Sequence, residues 1–332
     1  MSKTSRANTG EPMGHVNAMT DKPIEFAKLS GSGNDFVCID NRHGRFDALL
    51  ADGPRIGHFA RLLCRRSMGI GADGVILACR PEIEEVADLG ARFFEADGSE
   101  AALCGNGTAC FTRWAFDGGF VANSSIRILT PAGVVVAERG SGAYIVVCIP
   151  APQDMRRGLC VNVDGFPMAC DYVVTGVPHL VTIVDDVGAI DMARLGPLLR
   201  RHRRFQPAGV NANFVQVLGE GELAVRTWEF GVEGETLACG TGSAAAAILT
   251  ALRNDWPKEY RSHKKPILVR ARSGDLLRVY FTQLDDGTIT DVCLETVVRF
   301  LFSGTMSHEL ADDAVNGRVA RASPSGVPRT CP

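Results

Sequence analysis

One short pattern occurs twice in this 332-residue chain and limits its architecture more than any other feature: a cysteine, a Gly-x-Gly turn, then an apolar run of helical composition. The first copy, "GSEAALCGNGTACFTRWAF", centres on Cys104; the second, "EGETLACGTGSAAAAILTAL", centres on Cys239. Both run acidic residue, apolar step, thiol, turn, in that order. A further echo pairs "GSGNDFVCI" with "GVNANFVQV", each entering a strand-like run. Two echoes in one order point to a duplicated architecture, with Pro150–Pro152 as the joint.

Around these runs the chain alternates many short β-like segments with few helical ones. "FVCID", "GVILAC", "SIRILT", "GVVVAER", "YVVTGV", "LAVRTWEF", "LLRVYFT" and "DVCLETVVRFLF" are bounded by Gly, Pro, Asn and Asp, as strands are. Helical spacing shows at Ile56–Arg66 and Met192–Arg200 and after Cys104 and Cys239. The fold class is therefore α+β. Residues 1–22 are polar without the apolar core of a secretory signal, and residues 303–332 have the Gly/Pro/Ser/Arg-rich make-up of a poorly ordered tail. The expected organisation is a first half over 23–149 plus 292–302, a second half over 150–291, and two disordered tails.

Charge and cysteine usage exclude several functions. With 35 Lys and Arg against 38 Asp and Glu, the net charge is −3. Such a surface offers no broad cationic face, so nucleic acid and anionic membranes are not the expected partners. No apolar run reaches the roughly 18 residues of a membrane span. Eleven cysteines are an odd number without a disulfide-scaffold spacing. Cys38, Cys79 and Cys148 lie in apolar runs and read as reduced, packed thiols. The cytoplasm is the expected compartment.

The two thiol turns carry the chemistry. Zinc sites present closely paired cysteines or Cys/His sets; Cys104 and Cys110 are too far apart and "LACGTG" offers one thiol, so no metal is expected. A cysteine ahead of a Gly-x-Gly turn and a helix sits where unpaired N–H groups and the dipole favour a thiolate. The same N–H groups can hold a carboxylate. Tight turning and packing of the sulfurs would also explain one such run; two matched runs favour function. If the halves face each other, one thiolate can remove a proton from a carbon while the opposite thiol delivers one, inverting a stereocentre. An amino-acid α-carbon fits, its carboxylate held by the turns. Cys110, further along the helix, packs.

With these runs assembled, the chain resembles the diaminopimelate epimerase family and its racemase relatives. The resemblance spans roughly Phe26 to Phe302 through "KLSGSGNDFVCIDNR", "GIGADGVIL", "FFEADGSEAALCGNGTACF", "VPHLV", "GVNANFVQV" and "WEFGVEGETLACGTGS". It implies two pseudo-symmetric halves, each a strand barrel around a central helix, with the site between them and no cofactor. It also implies Cys104 and Cys239 as the acid/base pair, and Gly105, Asn106, Gly240 and Thr241 as the carboxylate-holding turns. Asn34 and Asn211 would orient the substrate, Glu229 would receive its ammonium group, and His179 would lie beside the cysteines. Glu235 and Thr236 are as well explained by capping.

Three positions depart from the family's diaminopimelate pattern: Glu95 replaces an Asn, Val177 an Asn, and Phe230 an Arg. An absent guanidinium removes a bidentate carboxylate partner, and Glu95 adds a charge that repels a distal carboxylate. The sequence expectation is thus a racemase or epimerase of another amino acid with a cationic or NH-bearing side chain, such as histidine, lysine or ornithine. Diaminopimelate itself is the alternative, with Glu95 turned to solvent and Phe230 packed. Phenazine-type isomerases lack the paired thiols, a non-catalytic binder has no need of them, and no lysine and phosphate-loop set marks a pyridoxal phosphate enzyme. The small-molecule substrate is the expected partner, and a homodimer is compatible with the chain.

Overall fold

The computed structural model describes residues 19, 22–83 and 85–317. In chain order the first half supplies strands β1 (Glu25–Gly31), β2 (Asn34–Asn41), β3 (Gly74–Cys79), β4 (Leu89–Glu95), β5 (Glu100–Ala101), β6 (Ser125–Thr130), β7 (Gly133–Arg139) and β8 (Tyr144–Cys148). The second supplies β9 (Gln153–Val163), β10 (Phe166–Val174), β11 (Pro178–Ile183), β12 (Asn211–Gly219), β13 (Glu222–Glu229), β14 (Gly234–Thr236), β15 (Ile267–Arg270) and β16 (Leu276–Gln283). The long β17 (Ile289–Thr305) follows. The helices are α1 (Asp47–Leu50), α2 (Gly53–Cys64), α3 (Gly105–Asp117), α4 (Met192–Arg200), α5 (Gly240–Arg253) and α6 (His308–Asn316).

The strands of the first half close on themselves. β1 pairs with β2, β2 runs parallel to β3, β3 pairs with β4, β4 runs parallel to β6, and β6, β7, β8 and β17 continue antiparallel back to β1. Helix α3 fills this ring, burying Ala109, Cys110, Phe111 and Ala115 against Leu29, Phe36, Ile126 and Ile145. The second half repeats the order from β9 to β17, with β11 parallel to β12 and β13 parallel to β15. Its central helix α5 is buried all round from Gly242 to Ala251, as a helix inside a barrel must be. The alanines of "SAAAA" let the surrounding strands approach it closely. Strand β17 belongs to both rings: Ile289–Glu295 pair with β16, Cys293–Val297 with β8, and Val298–Thr305 with β1.

The topology corrects three expectations. Helices α3 and α5 occupy the same place in their rings, between β5 and β6 and between β14 and β15, so the thiol echo is a true repeat. The other echo is not: β2 leads through α2 to its parallel partner β3, and β11 leads through α4 to β12. "GVNANFVQV" therefore corresponds in the fold to β3, and its likeness to β2 reflects only a shared strand entry. Cys148 is not a packed thiol; it is disulfide-bonded to Cys293, directly opposite on β17. The tail from Ser303 is ordered through Gly317, because Ala311, Ala314 and Val315 of α6 pack with Phe59 and Leu63 of α2. Residues 318–332 lie outside the described part, as do residues 1–18, 20 and 21. No helix among the described residues is long and apolar enough to cross a membrane.

Candidate active site

Each thiol occupies the N-cap of a central helix. Cys104 heads α3 at φ −132°, ψ 114°, and Cys239 heads α5 at φ −122°, ψ 112°. The match extends into the first turn: Thr108 Oγ1 donates to the Cys104 carbonyl at 2.8 Å and Ser243 Oγ to the Cys239 carbonyl at 2.9 Å. The third glycine-turn position is closed to a side chain in both. A Cβ on Gly107 would meet the Phe93 ring at 3.1 Å, and one on Gly242 would meet Asn213 Oδ1 at 2.4 Å. A Cβ on Gly105, by contrast, meets nothing within 4 Å, so that face of the turn is open.

The two turns touch. Asn106 Nδ2 donates to Asn34 Oδ1 at 2.7 Å and across to the Ala238 carbonyl, next to Cys239, at 3.3 Å. Asn34 in turn donates to Asp73 at 3.3 Å. The Asn106 side chain is thus spent on holding the two halves together, and what its turn offers an anion is backbone N–H. Asn211 is equally engaged, accepting from the Phe230 amide at 2.7 Å.

Electrostatics at the thiols run against the expectation from the helix ends. Burial, then Glu95 and Glu229, push Cys104 up to about 12, although the Gly107 and Asn106 amides pull it down. Burial and Glu229 raise Cys239 well above its ordinary value, opposed by Thr241 and Gly242. The helix-end effect is worth about 0.3–2 kcal/mol, and desolvation with a nearby carboxylate exceeds it. Burial and the neighbouring carboxylates thus favour the protonated thiol at both positions. Glu229 is itself raised by burial, while hydrogen bonds from the Thr236 hydroxyl and the Cys239 thiol lower it. Glu95 is raised by burial, then by Asp97, Glu229 and Asp73. The cleft therefore collects carboxyl groups, and Glu229 acts on both sulfurs.

Against this geometry the comparisons with known proteins are decisive. The family model described as diaminopimelate epimerase matches residues 26–146 and 172–283. The chain belongs to the diaminopimelate epimerase family. The diaminopimelate epimerase of Aquifex aeolicus is 40% identical over 290 residues, covering 87% of this chain and all of that protein. That of Methanocella arvoryzae is 39% identical over 236 residues, 68% of this chain and 81% of its own. Among solved structures, a phenazine biosynthesis protein of Bacillus anthracis aligns with a TM-score of 0.64 at 15% identity, over 86% of this chain and 99% of its own. A hydroxyproline epimerase of Agrobacterium vitis aligns with a TM-score of 0.64 at 16% identity, over 86% and 91%. This member of the diaminopimelate epimerase family is an isomerase of the racemase and epimerase kind.

Other family-motif residues sit less directly. His179 is fully buried and lies behind the second turn, its Nε2 2.9 Å from Thr241 Oγ1. Phe230 is half exposed, its ring 4.4 Å under the Arg200 guanidinium, which is paired with Glu233 at 3.0 Å. Val177 lies at the surface of the same half. Glu235 is bound to Arg226 at 2.6 Å and stands outside the site, whereas Thr236 binds Glu229. The sequence reading missed Asn213 and Thr227, which hydrogen-bond each other at 2.9 Å beneath the second turn. A signal existed: Asn211 and Asn213 are two apart on one strand and so share a face. Among the described residues no cluster suited to a metal ion occurs.

Proposed function

We propose that this chain inverts the α-carbon of a diamino acid by proton transfer between Cys104 and Cys239, with LL-diaminopimelate the first candidate. The observation that carries the reading is the pair of matched N-cap thiols at two touching turns, both under the influence of Glu229. The substrate carboxylate sits on the backbone N–H groups of the turns headed by Gly105, Asn106, Gly240 and Thr241. Its ammonium group takes Glu229, cancelling one of the charges that, with burial, hold both thiols protonated, so that one of them releases its proton to solvent. One sulfur, as thiolate, removes the α-proton; the other thiol gives its proton to the opposite face. The product leaves with inverted configuration and the two sulfurs with exchanged protonation. The names of the relatives support diaminopimelate. Glu95 supports a second cation beyond the α-carbon, which the distal ammonium group supplies.

The departures favour a second reading. Among Glu95, Val177 and Phe230 there is no guanidinium for a distal carboxylate, and Arg200 is engaged with Glu233 and Phe230. Lysine, ornithine or histidine would satisfy Glu95 without that carboxylate. Exchange of the α-proton in deuterium oxide decides between them. Rapid exchange of LL-diaminopimelate supports the first reading, and faster exchange of lysine, ornithine or histidine the second. Exchange that survives Cys104→Ala and Cys239→Ala would sink the two-thiol mechanism. The reading needs both thiols reduced, which a cytoplasmic setting supplies.

A further inference from the structure

Beneath Cys239 runs a chain of side chains that ends on a hydroxyl beside the sulfur, whereas the chain from Asp73 through Asn34 at the first turn ends on the Asn106 amide. The polarity of the Cys239 chain is fixed from one end. Asn213 lies in β12, 1% exposed. One side of its carboxamide faces the Leu180 carbonyl at 2.9 Å and the Asn211 carbonyl at 3.3 Å. Both are acceptors only, so the NH2 group must be on that side. The same NH2 lies 3.1 Å from His179 Nδ1, which therefore accepts. On the other side Asn213 Oδ1 accepts the Thr227 hydroxyl at 2.9 Å. A neutral imidazole that accepts at Nδ1 carries its hydrogen on Nε2. His179 is held neutral, because complete burial pulls it down to about 3. Its Nε2–H is thus donated to Thr241 Oγ1 at 2.9 Å, which leaves the Thr241 hydroxyl hydrogen free to point at Cys239 Sγ, 3.5 Å away.

We infer that Asn213, braced by Thr227, is a positioning residue that fixes the His179 tautomer, and through it aims the Thr241 hydroxyl at Cys239 so that this sulfur is the better supported thiolate of the pair. Each member donates toward the sulfur and none can reverse, because two backbone carbonyls anchor the far end. His179 acts as a fixed donor and takes no proton in the cycle. At the other thiol, the residue equivalent to Thr241 is Asn106, whose amide is spent on Asn34 and Ala238. Cys104 receives backbone N–H alone, from Gly107 at 3.4 Å and from Asn106. The charged group facing Cys239 is Glu229 of β13; once substrate ammonium occupies it, the Thr241 hydroxyl decides which sulfur gives up its proton first. The inference rests on the two-thiol reading and specifies how its halves differ.

The test reads the thiols directly, without turnover. The rate of iodoacetamide alkylation is followed against pH in the full chain, with Cys104 and Cys239 resolved by peptide mass spectrometry. Thr241→Val and Thr227→Val keep the side-chain shape and remove the hydroxyl. Thr241→Val is expected to move the Cys239 profile upward by about one to two pH units, of the size one hydrogen bond to a charged group gives. Thr227→Val, which acts through Asn213 and His179, should move it less in the same direction, and both should leave Cys104 in place. Thr241→Ser and Thr227→Ser should return it. A Cys239 profile unmoved in Thr241→Val, or a shift shared equally with Cys104, would overturn the inference. Should Thr227→Val fail to fold, Thr241→Val at the partly exposed turn carries the test alone. Failure of the two-thiol reading shows separately, as absent α-proton exchange in the unaltered chain.

Discussion

Glu95 raises Cys104 through its charge and is itself raised by burial, so one substitution should have two opposite effects. Glu95→Gln removes the repulsion and lowers the thiol, so Cys104 alkylation at pH 8 should speed up severalfold. It also removes the acceptor for a second ammonium group, so α-proton exchange of a diamino acid should fall by tenfold or more, as for a lost charge-assisted bond of about 1.5–3 kcal/mol. Equal exchange in the variant and the unaltered chain would remove Glu95 from the substrate site. His179 gives a second residue-scale expectation. Its folded value near 3 lies below the ordinary 6.5, so the unfolded chain binds a proton that the folded chain refuses. The His179 contribution to stability is full above pH 6.5 and is lost as pH falls from there toward 3. Between pH 7 and pH 5 this one group should cost about 2 kcal/mol, seen in denaturant unfolding, and His179→Gln should remove that part of the slope.

At the scale of the element, the two glycine turns separate folding from binding. Gly242→Ala drives a methyl group into Asn213 Oδ1 and against the Cys239 sulfur. It should cost about 1–3 kcal/mol of stability, as overpacking does, and most of the activity with it. Gly105→Ala meets no atom within 4 Å. Its melting temperature should stay within about 1–2 °C, while the methyl group crowds the open face where a carboxylate would bind, raising KM with little change in kcat. If Gly105→Ala left KM unchanged, the carboxylate would not lie on this turn. These turns were legible in the sequence because their chemistry is local: a thiol, two glycines and an apolar run sit within a few residues. The Asn213–His179–Thr241 chain was not, since it joins β12, β11 and α5 through parallel pairing that no local pattern announces. The same limit produced the false echo between β2 and β12, where alternating apolar residues after an Asn look alike whatever their place in a barrel.

At the scale of the whole molecule, β17 is the one strand among the described residues that is shared by both rings, and the disulfide ties it to β8 at the seam. The sequence could not disclose this pairing, because 145 positions separate the partners and Cys148 alone reads as a packed residue. A cross-link over so long a loop removes freedom chiefly from the unfolded chain. Reduction should therefore destabilise the protein by about 2–4 kcal/mol, lowering its melting temperature by roughly 5 °C or more at the few degrees per kcal/mol of large domains. Cys293→Ala should melt at that lower temperature with or without reductant, whereas the unaltered chain should reach it only when reduced. Activity should follow a different rule. Cys104 and Cys239 are free thiols, cap the helices inside the two rings and take no part in the cross-link. A mild reductant should sustain α-proton exchange in the unaltered chain and in Cys293→Ala alike, so long as the temperature stays below both transitions. Loss of exchange in Cys293→Ala at such a temperature would mean that the seam sets the alignment of the two barrels, and with it the approach of one thiol to the other.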